Sequence, residues 1–306
     1  NKDGAKIALE GIREETKRMS YFGRLNYNFK ETYLLNATFR MDGSSIFSKD
    51  NAWGYFPSVS GGWIASNEAF LKDSNVVNFL KLRASWGQVG NQNARAFQYL
   101  SPIKVNNTNY SFGDKEGVLT PGAYPNRLSN LDLKWETSEQ INLGLDARFL
   151  NNNLNVTVDV YQKTNKDWLI LAPVLATAGA DAPFINGGDV VNKGVELSLS
   201  YQNKIGDFNY NVSANGAYNK NTVGEIPTTD GIIHGLPNEL YDNASEFYRA
   251  QNGHPLGYFW GYKTGGVFQN QEQIDNYKSA NGVVLQPTAT PGDIIYANTN
   301  GDDKID

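Results

Sequence analysis

The C-terminal end of the chain carries oxygen atoms at a spacing that suits a calcium ion. Its final string, NTNGDDKID, follows in part the calcium-loop pattern D-x-[DN]-x-[DN]-G. In that pattern Asn298, Asn300 and Asp302 supply ligands, with Asp306 further along. Asn298 replaces the usual Asp, and Asp303 stands where Gly normally makes the sharp turn. The sequence therefore predicts either a calcium site or a polar loop without metal, and no other cofactor.

Outside the regular segments described below, one cluster of aromatic residues and one single tryptophan are candidates for ligand contact. Tyr258, Phe259, Trp260 and Tyr262 lie within five residues of one another, and Trp168 follows a predicted strand. Aromatic rings offer broad apolar faces on which sugar rings stack, so these five residues are candidate substrate-binding residues. The alternatives are loop packing or a further strand for the cluster, and a membrane-interface position for Trp168.

Catalytic chemistry is not predicted. The two histidines, His234 and His254, lie in irregular segments, 20 residues apart, without a carboxylate at metal-ligand spacing. The chain contains no nucleophile elbow, phosphate-binding loop or HExxH string. We therefore expect no catalytic residues and no enzyme activity.

Composition excludes several further classes. The 306 residues carry a formal net charge of −5 and no basic tract, so nucleic acid is not an expected partner. The chain has no cysteine, which excludes disulfides and thiolate metal sites. It also lacks a run of eighteen apolar residues, so the sequence predicts no transmembrane helix. Aromatic residues make up 12% of the chain.

The segments of the chain that would hold such sites in place alternate between apolar and polar residues. In one segment Ile141, Leu143 and Leu145 alternate with Gln140, Asn142 and Gly144. Successive side chains on a strand point to opposite faces, so such a segment has one apolar and one polar side. The apolar sides of seven such segments carry no charge. Segments of about ten residues match tilted strands that cross a bilayer, whereas strands of globular proteins are shorter.

The pattern predicts an all-β, antiparallel transmembrane β-barrel segment made of about eight long meander strands. The strands are expected at 20–29, 32–42, 54–66, 80–89, 136–150, 154–167, 193–203 and 207–219. Residues 1–20 are expected to form a loop with a possible helical turn, and 220–306 a mostly extracellular loop. Asn67 and Glu68 predict a short helical turn capped by Asn67.

The connections alternate between short and long, as in outer-membrane barrels with short periplasmic turns and long extracellular loops. The polar sides of the strands would then face a water-filled lumen. The charged residues predicted to face it are Arg24, Arg40, Lys81, Arg83, Asp146, Arg148, Asp159 and Glu196. These side chains are expected to pair with one another or to contact a domain inside the barrel.

Two other functions share part of this pattern. A soluble all-β carbohydrate-binding module or enzyme also buries one side of every strand, between two sheets. A passive porin-like barrel would show the same strands and connections. Strand length and the alternation of connections favour a membrane barrel over the soluble alternative.

Six strings, in this order and spacing, resemble the SusC/RagA family of TonB-linked outer-membrane transporters. They are YFGRLNYNFKETYLLNATFRMDGSSIF, WGYFPSVSGGWIASNEAF, LKLRASWGQVGNQ, LKWETSEQINLGLDARF, NKGVELSLSY and GYFWGYKTGGVFQNQEQ, the last followed by PGDIIYANTNGDDKID. They span nearly the whole chain from Tyr21 to Asp306.

The resemblance implies a barrel of about 22 strands whose lumen is blocked by an N-terminal plug domain. It also implies location in the cell outer membrane, contact with TonB through the plug, and a SusD-like surface lipoprotein as partner. The transported substrate would be a glycan or a peptide. This chain shows neither the plug nor the closing strands. We therefore expect a fragment from the C-terminal half of the barrel domain, covering 1–306.

Overall fold

The computed structural model describes residues 15–94, 96–111, 119–172, 176–235 and 246–305. They divide into two compact units. The first comprises the described residues up to Ile232 together with Gln251–Leu256, and the second comprises those of Ile233–Ala250 and Gly257–Asp306. No helix among the described residues is both long and apolar enough to span a membrane.

The described residues form strands and one short α-helix, α1, at Gln271–Asn276. In chain order the strands are β1 Arg18–Phe29, β2 Tyr33–Ser44, β3 Trp53–Ile64, β4 Val77–Asn91, β5 Ile103–Ser111, β6 Leu119–Pro125, β7 Glu136–Phe149, β8 Leu154–Lys166, β9 Leu169–Leu171, β10 Phe184–Asn186, β11 Val190–Ile205, β12 Phe208–Val223, β13 Ile232–His234, β14 Tyr248–Gln251, β15 Tyr258–Phe259, β16 Thr264–Val267 and β17 Ile294–Tyr296.

Eight long strands form one antiparallel sheet, called the main sheet below. Its order is β1-β2-β3-β4-β7-β8-β11-β12, so each long strand pairs with the next long strand along the chain. This meander confirms the predicted fold class and the eight expected strands. Several strands extend past their predicted bounds; β11 begins at Val190 and β12 ends at Val223. The apolar alternation stops earlier, so it did not mark these ends.

The register keeps one set of side chains on one face across the whole main sheet. Leu35 pairs with Gly61, Gly61 with Ala84, and Ala84 with Leu143. Leu143 in turn pairs with Val160. Directly paired residues of neighbouring strands share a face. We call this side the apolar face and the opposite side the polar face.

The two ends of the main sheet differ in their connections. At the hairpin end, residues 30–32, 150–153 and 206–207 join neighbouring strands. Lys30 and Glu31 have positive φ values of 54° and 53°, the backbone that closes tight hairpins between twisted strands. At the opposite, loop end, long connections run over residues 92–135 and 167–189.

The loop-end connections are more structured than predicted. The segment 90–134 contains the β5–β6 hairpin, and residues 168–192 contain the β9–β10 pair. A buried cluster of Ile46, Phe47 and Leu133 holds loop residues together. The Phe47 ring lies 5.3 Å from that of Trp135, between centroids. The apolar residues of this cluster have no regular spacing, so the sequence did not predict it.

Two further predictions differ from the structure. The turn after β3 is a 3-10 helix at Ala65–Asn67 that ends, rather than begins, at Asn67. The Asn67 side chain donates to the carbonyl oxygen of Glu31 at 2.8 Å instead of capping a helix. The loop predicted for residues 1–20 gives way to β1 at Arg18, and the rest of that prediction falls largely outside the described residues.

Candidate functional site

The polar face of the main sheet carries a charged cluster on three neighbouring strands. Arg83 on β4 donates to Asp146 on β7 through Nε at 2.8 Å and through Nη2 at 3.0 Å. The same Nη2 donates to Oδ2 of Asp159 on β8 at 3.1 Å. A guanidinium that forms two parallel hydrogen bonds with a carboxylate is held in a defined orientation. The cluster therefore ties β4, β7 and β8 together across their polar sides.

Gly144 provides the space for this cluster. It lies between Arg83 and Asp159 in the register of the sheet. A Cβ atom at this position would lie 2.6 Å from Cζ of Arg83 and 2.7 Å from Oδ1 of Asp159. Any larger residue at 144 would therefore push the guanidinium away from its carboxylate partners.

The other charged residues predicted to face the lumen also lie on the polar face. Arg40 contacts Asp42 at 2.6 Å, and Arg24 donates to Oγ1 of Thr38 at 3.3 Å. Glu196 is exposed and pairs in register with Asp159. The guanidinium carbon of Arg148 lies 4.9 Å from the centroid of the Phe79 ring. Lys81 pairs with Asp146 in the register of the sheet.

The predicted mutual pairing is thus present for Arg83, Asp146 and Asp159. Arg24, Arg40 and Arg148 instead contact residues that were not among the predicted set. That this face encloses a lumen stays a prediction.

A cavity of about 810 Å³ opens at the loop end of the main sheet. Arg18, Arg40 and Asp42 line one part of it, and Phe56 and Trp135 another. Guanidinium, carboxylate and aromatic groups around one cavity can hold a polar ligand by hydrogen bonds and ring contacts. The sequence did not predict Arg18 or Trp135 as members of a site: Arg18 begins β1 and Trp135 ends the long connection before β7, and only the folded sheet brings both to this cavity.

The predicted aromatic cluster lies in the second unit, and part of it is engaged in packing. The guanidinium carbon of Arg249 lies 3.1 Å from the centroid of the Trp260 ring, and its Nε donates to the Tyr258 hydroxyl at 3.1 Å. Phe259 is 84% exposed, and the Tyr262 ring lies 5.1 Å from that of Tyr296. One face of Trp260 is therefore covered, whereas Phe259 is open to solvent.

Trp168 lies between β8 and β9 in the first unit. Its backbone amide donates to the carbonyl oxygen of Gly188 at 3.2 Å, and its carbonyl oxygen accepts from Gly187 at 2.8 Å. Its side chain is half-buried. Substrate contact by Trp168 and by the second-unit aromatic residues stays a prediction.

The residues of the predicted calcium loop hydrogen-bond one another. Oδ1 of Asn298 accepts from the Gly301 amide at 2.6 Å, and Oδ1 of Asn300 accepts from the Asp302 amide at 2.9 Å. Asp302 in turn accepts from the Lys304 amide at 2.8 Å. Asp306 lies outside the described residues. Calcium binding at this loop stays a prediction.

The apolar face remains open over the middle of the main sheet. Leu143 and Val160 lie on the inner strands β7 and β8, yet they are 58% and 52% exposed. A sandwich would bury such central side chains against a second layer. The face therefore needs an apolar environment from outside the described chain.

Aromatic side chains form two bands on the apolar face. The hairpin-end band contains Tyr27, Phe29, Tyr33, Trp63, Phe149, Tyr201, Phe208 and Tyr210, and the loop-end band contains Tyr21, Phe39, Trp53, Tyr55, Trp86 and Tyr218. Tyr21 and Phe29 on β1 are separated by about 27 Å at ~3.4 Å per residue. At the tilt of about 40° of strands in membrane barrels, this length covers about 21 Å across the bilayer, close to the apolar band of about 25 Å that aromatic girdles flank there.

Glu68, beyond the end of β3, is anchored by two residues of the hairpin-end band. Its Oε1 accepts from the Tyr33 hydroxyl at 2.6 Å and from the Trp63 indole nitrogen at 3.2 Å. The hydrogen bond from Tyr33 lowers the pKa of the Glu68 carboxyl most, and that from Trp63 lowers it next. The positive charge of Lys30 lowers this pKa further. The sequence indicated Glu68 only as a helix-turn residue, because the partners come from separate strands.

The chain matches the family described as "TonB dependent receptor-like, beta-barrel" over residues 4–300. TonB-dependent receptor P3 of Formosa agariphila is 31% identical over 309 residues, which cover 100% of this chain and 30% of that protein. TonB-dependent receptor SusC of Bacteroides thetaiotaomicron is 35% identical over 294 residues, covering 94% of this chain and 27% of that protein.

The solved structure of the RagAB peptide transporter superposes with a TM-score of 0.71 at 29% identity. The match covers 83% of this chain and 26% of that chain. The chain thus spans less than a third of the length of these relatives. They are receptors and transporters rather than enzymes. Sequence and fold together confirm the predicted resemblance: the chain belongs to the TonB dependent receptor-like β-barrel family of the outer membrane.

Proposed function

We propose that the protein is a TonB-dependent importer and that this chain supplies part of its barrel wall. The observation that carries the proposal is the two-faced main sheet. Its central apolar side chains are exposed between two aromatic bands, while the opposite face carries the paired charges of Arg83, Asp146 and Asp159. Such a wall separates hydrocarbon from water.

The substrate we propose is a peptide or a glycan. The RagAB relative is a peptide transporter, and the chain is 29% identical to it over the matched region. The cavity that contains Arg18, Arg40 and Asp42 offers charged partners for a peptide backbone and its termini. The exposed Phe259 ring offers an apolar surface for a sugar ring. A SusD-like surface lipoprotein is the proposed partner at the extracellular side, with TonB acting through a plug domain.

Uptake in cells tests the proposal. The full-length protein is expressed in a host strain that lacks other importers, and accumulation of labelled oligopeptides and oligosaccharides is followed with and without a proton uncoupler. An importer driven by TonB accumulates one substrate class above the external concentration, and the uncoupler abolishes this accumulation. Uptake that only equilibrates, and that the uncoupler leaves unchanged, would instead indicate a passive barrel.

A further inference from the structure

The apolar face contains a groove near the hairpin end. Gly61 on β3 leaves it open, since a Cβ atom built there would meet nothing within 4 Å. Ala84 pairs with Gly61 in the register, and both are short compared with Leu82 and Leu143 beside them. The groove has a volume of about 560 Å³. Its outward-facing lining is apolar, and its size falls within the about 300–1,000 Å³ typical of small-molecule sites.

A negatively charged group and a positively charged group lie where the groove meets the hairpin end. Tyr33 and Trp63 line the groove, and both donate to the Glu68 carboxylate, as described above. The Lys30 ammonium interacts electrostatically with this carboxylate and lies 5.2 Å from the centroid of the Phe29 ring. Phe29 in turn lies 6.4 Å from the Tyr33 ring. A carboxylate and an ammonium therefore both lie at the hairpin end of the apolar groove.

These features match one kind of molecule. Its tail must be apolar and flexible enough to fill the groove. Its head must carry a cation that donates hydrogen bonds to Glu68 and an anion that accepts from Lys30. A phosphoethanolamine headgroup has both groups, with a primary ammonium next to a phosphate. A choline headgroup has no N–H to donate, and a glycerol headgroup has no cation.

We propose that this groove is a binding site for one phospholipid with an ethanolamine headgroup, in the leaflet at the hairpin end. One acyl chain lies over Gly61 and Ala84, the ammonium donates to Glu68, and the phosphate contacts Lys30. The proposal requires that the apolar face meets lipid, as the proposed function does. It does not depend on what the barrel transports or on whether TonB drives transport.

Native mass spectrometry of the full-length receptor tests the site. The protein is purified in mild detergent and equilibrated separately with dioleoyl phosphatidylethanolamine, phosphatidylcholine and phosphatidylglycerol. We expect one phosphatidylethanolamine to be retained about tenfold more tightly than either other lipid, which corresponds to about 1.4 kcal/mol. Glu68→Gln should reduce that preference to about twofold or less.

Gly61→Leu fills the groove and should lower retention of the bound lipid about tenfold. Gly216→Leu is the matched control, because Gly216 also lies on the apolar face with nothing within 4 Å of a built Cβ. A heat-dependent shift on gels checks that each variant is folded.

Equal retention of the three lipids by the wild-type receptor would overturn the proposal. Identical behaviour of Gly61→Leu and Gly216→Leu would also overturn it. The uptake assay described above is separate: an importer without this lipid preference, or a lipid-binding barrel without import, would reject one proposal and leave the other standing.

Discussion

The Tyr33 hydroxyl donates a 2.6 Å hydrogen bond to Oε1 of Glu68, 35 residues later in the chain. This contact joins the start of β2 to the connection that follows β3. It holds an anionic carboxylate beside the hairpin-end aromatic band. At this level of a membrane barrel, aromatic rings meet the lipid headgroups.

Tyr33→Phe should lower the free energy of unfolding at neutral pH, because the hydrogen bond to the Glu68 carboxylate is lost. The hydrogen bond makes the pKa of Glu68 lower in the folded state than in the unfolded chain, where it is about 4.3. The stabilisation is therefore fully present above that pH and is lost as the pH falls through the lowered pKa. Denaturant unfolding in lipid vesicles should show the difference at about pH 7 and little of it at about pH 3.

Tyr27→Phe is the control for that experiment, since Tyr27 belongs to the same aromatic band and does not contact Glu68 in the described structure. Its effect on unfolding should not depend on pH in this range. If the Tyr33→Phe effect is equally large at both pH values, the hydrogen bond to the ionised carboxylate is not its cause.

Arg83→Met should destabilise the barrel by about 1–2 kcal/mol, because Asp146 and Asp159 then face each other without a counter-charge. The figure is modest because the Arg83 side chain is 31% exposed. Adding Asp146→Asn and Asp159→Asn to Arg83→Met should recover more than half of the loss. The measurement is denaturant unfolding of the full-length protein. A charge-neutral triple variant as unstable as Arg83→Met would show that packing, not charge, dominates.

Gly144→Val should lower stability by about 1–3 kcal/mol, because its side chain occupies the space that the Arg83 guanidinium fills. Gly216→Val, on the open apolar face, is the matched control and should change stability little. In an Arg83→Ala background the effect of Gly144→Val should fall by at least half. An unchanged effect in that background would exclude the contact with Arg83 as its cause.

Phe259→Ala should weaken binding of the imported substrate by about three- to tenfold without changing stability, because the ring is exposed and free to stack. Trp260→Ala should instead lower stability, because Trp260 supports the Arg249 guanidinium. Substrate titration and unfolding of both variants separate the two effects. Unaltered substrate affinity in Phe259→Ala would remove the aromatic cluster from the binding site.

The alternation of residue types was sufficient to predict the main sheet and its faces. The alternation alone places Leu143 and Val160 each on the apolar side of its strand, because a period of two leaves only two choices for each strand. The charged residues on the polar face followed from the same pattern.

Which charged residues meet could not be predicted, since it depends on register. Arg83 reaches Asp159, two strands away, because only Gly144 stands between them in the register. Trp135 and Phe47 pack together across connections of irregular spacing, and Glu68 is held by two strands at once. Contacts of this kind arise from tertiary structure and leave no periodic signal in the sequence.

Spin labels along β7 test most directly whether the apolar face meets hydrocarbon. The chain contains no cysteine, so single cysteines can be placed at Gln140, Ile141, Asn142, Leu143 and Leu145 in the full-length receptor, once any other cysteines are removed. Collision rates with oxygen, which concentrates in lipid, and with a water-soluble nickel chelate are then measured in vesicles. We expect oxygen to reach 141, 143 and 145 preferentially, with the opposite preference or no access at 140 and 142. Nickel access at 143, or the absence of any alternation, would contradict the account.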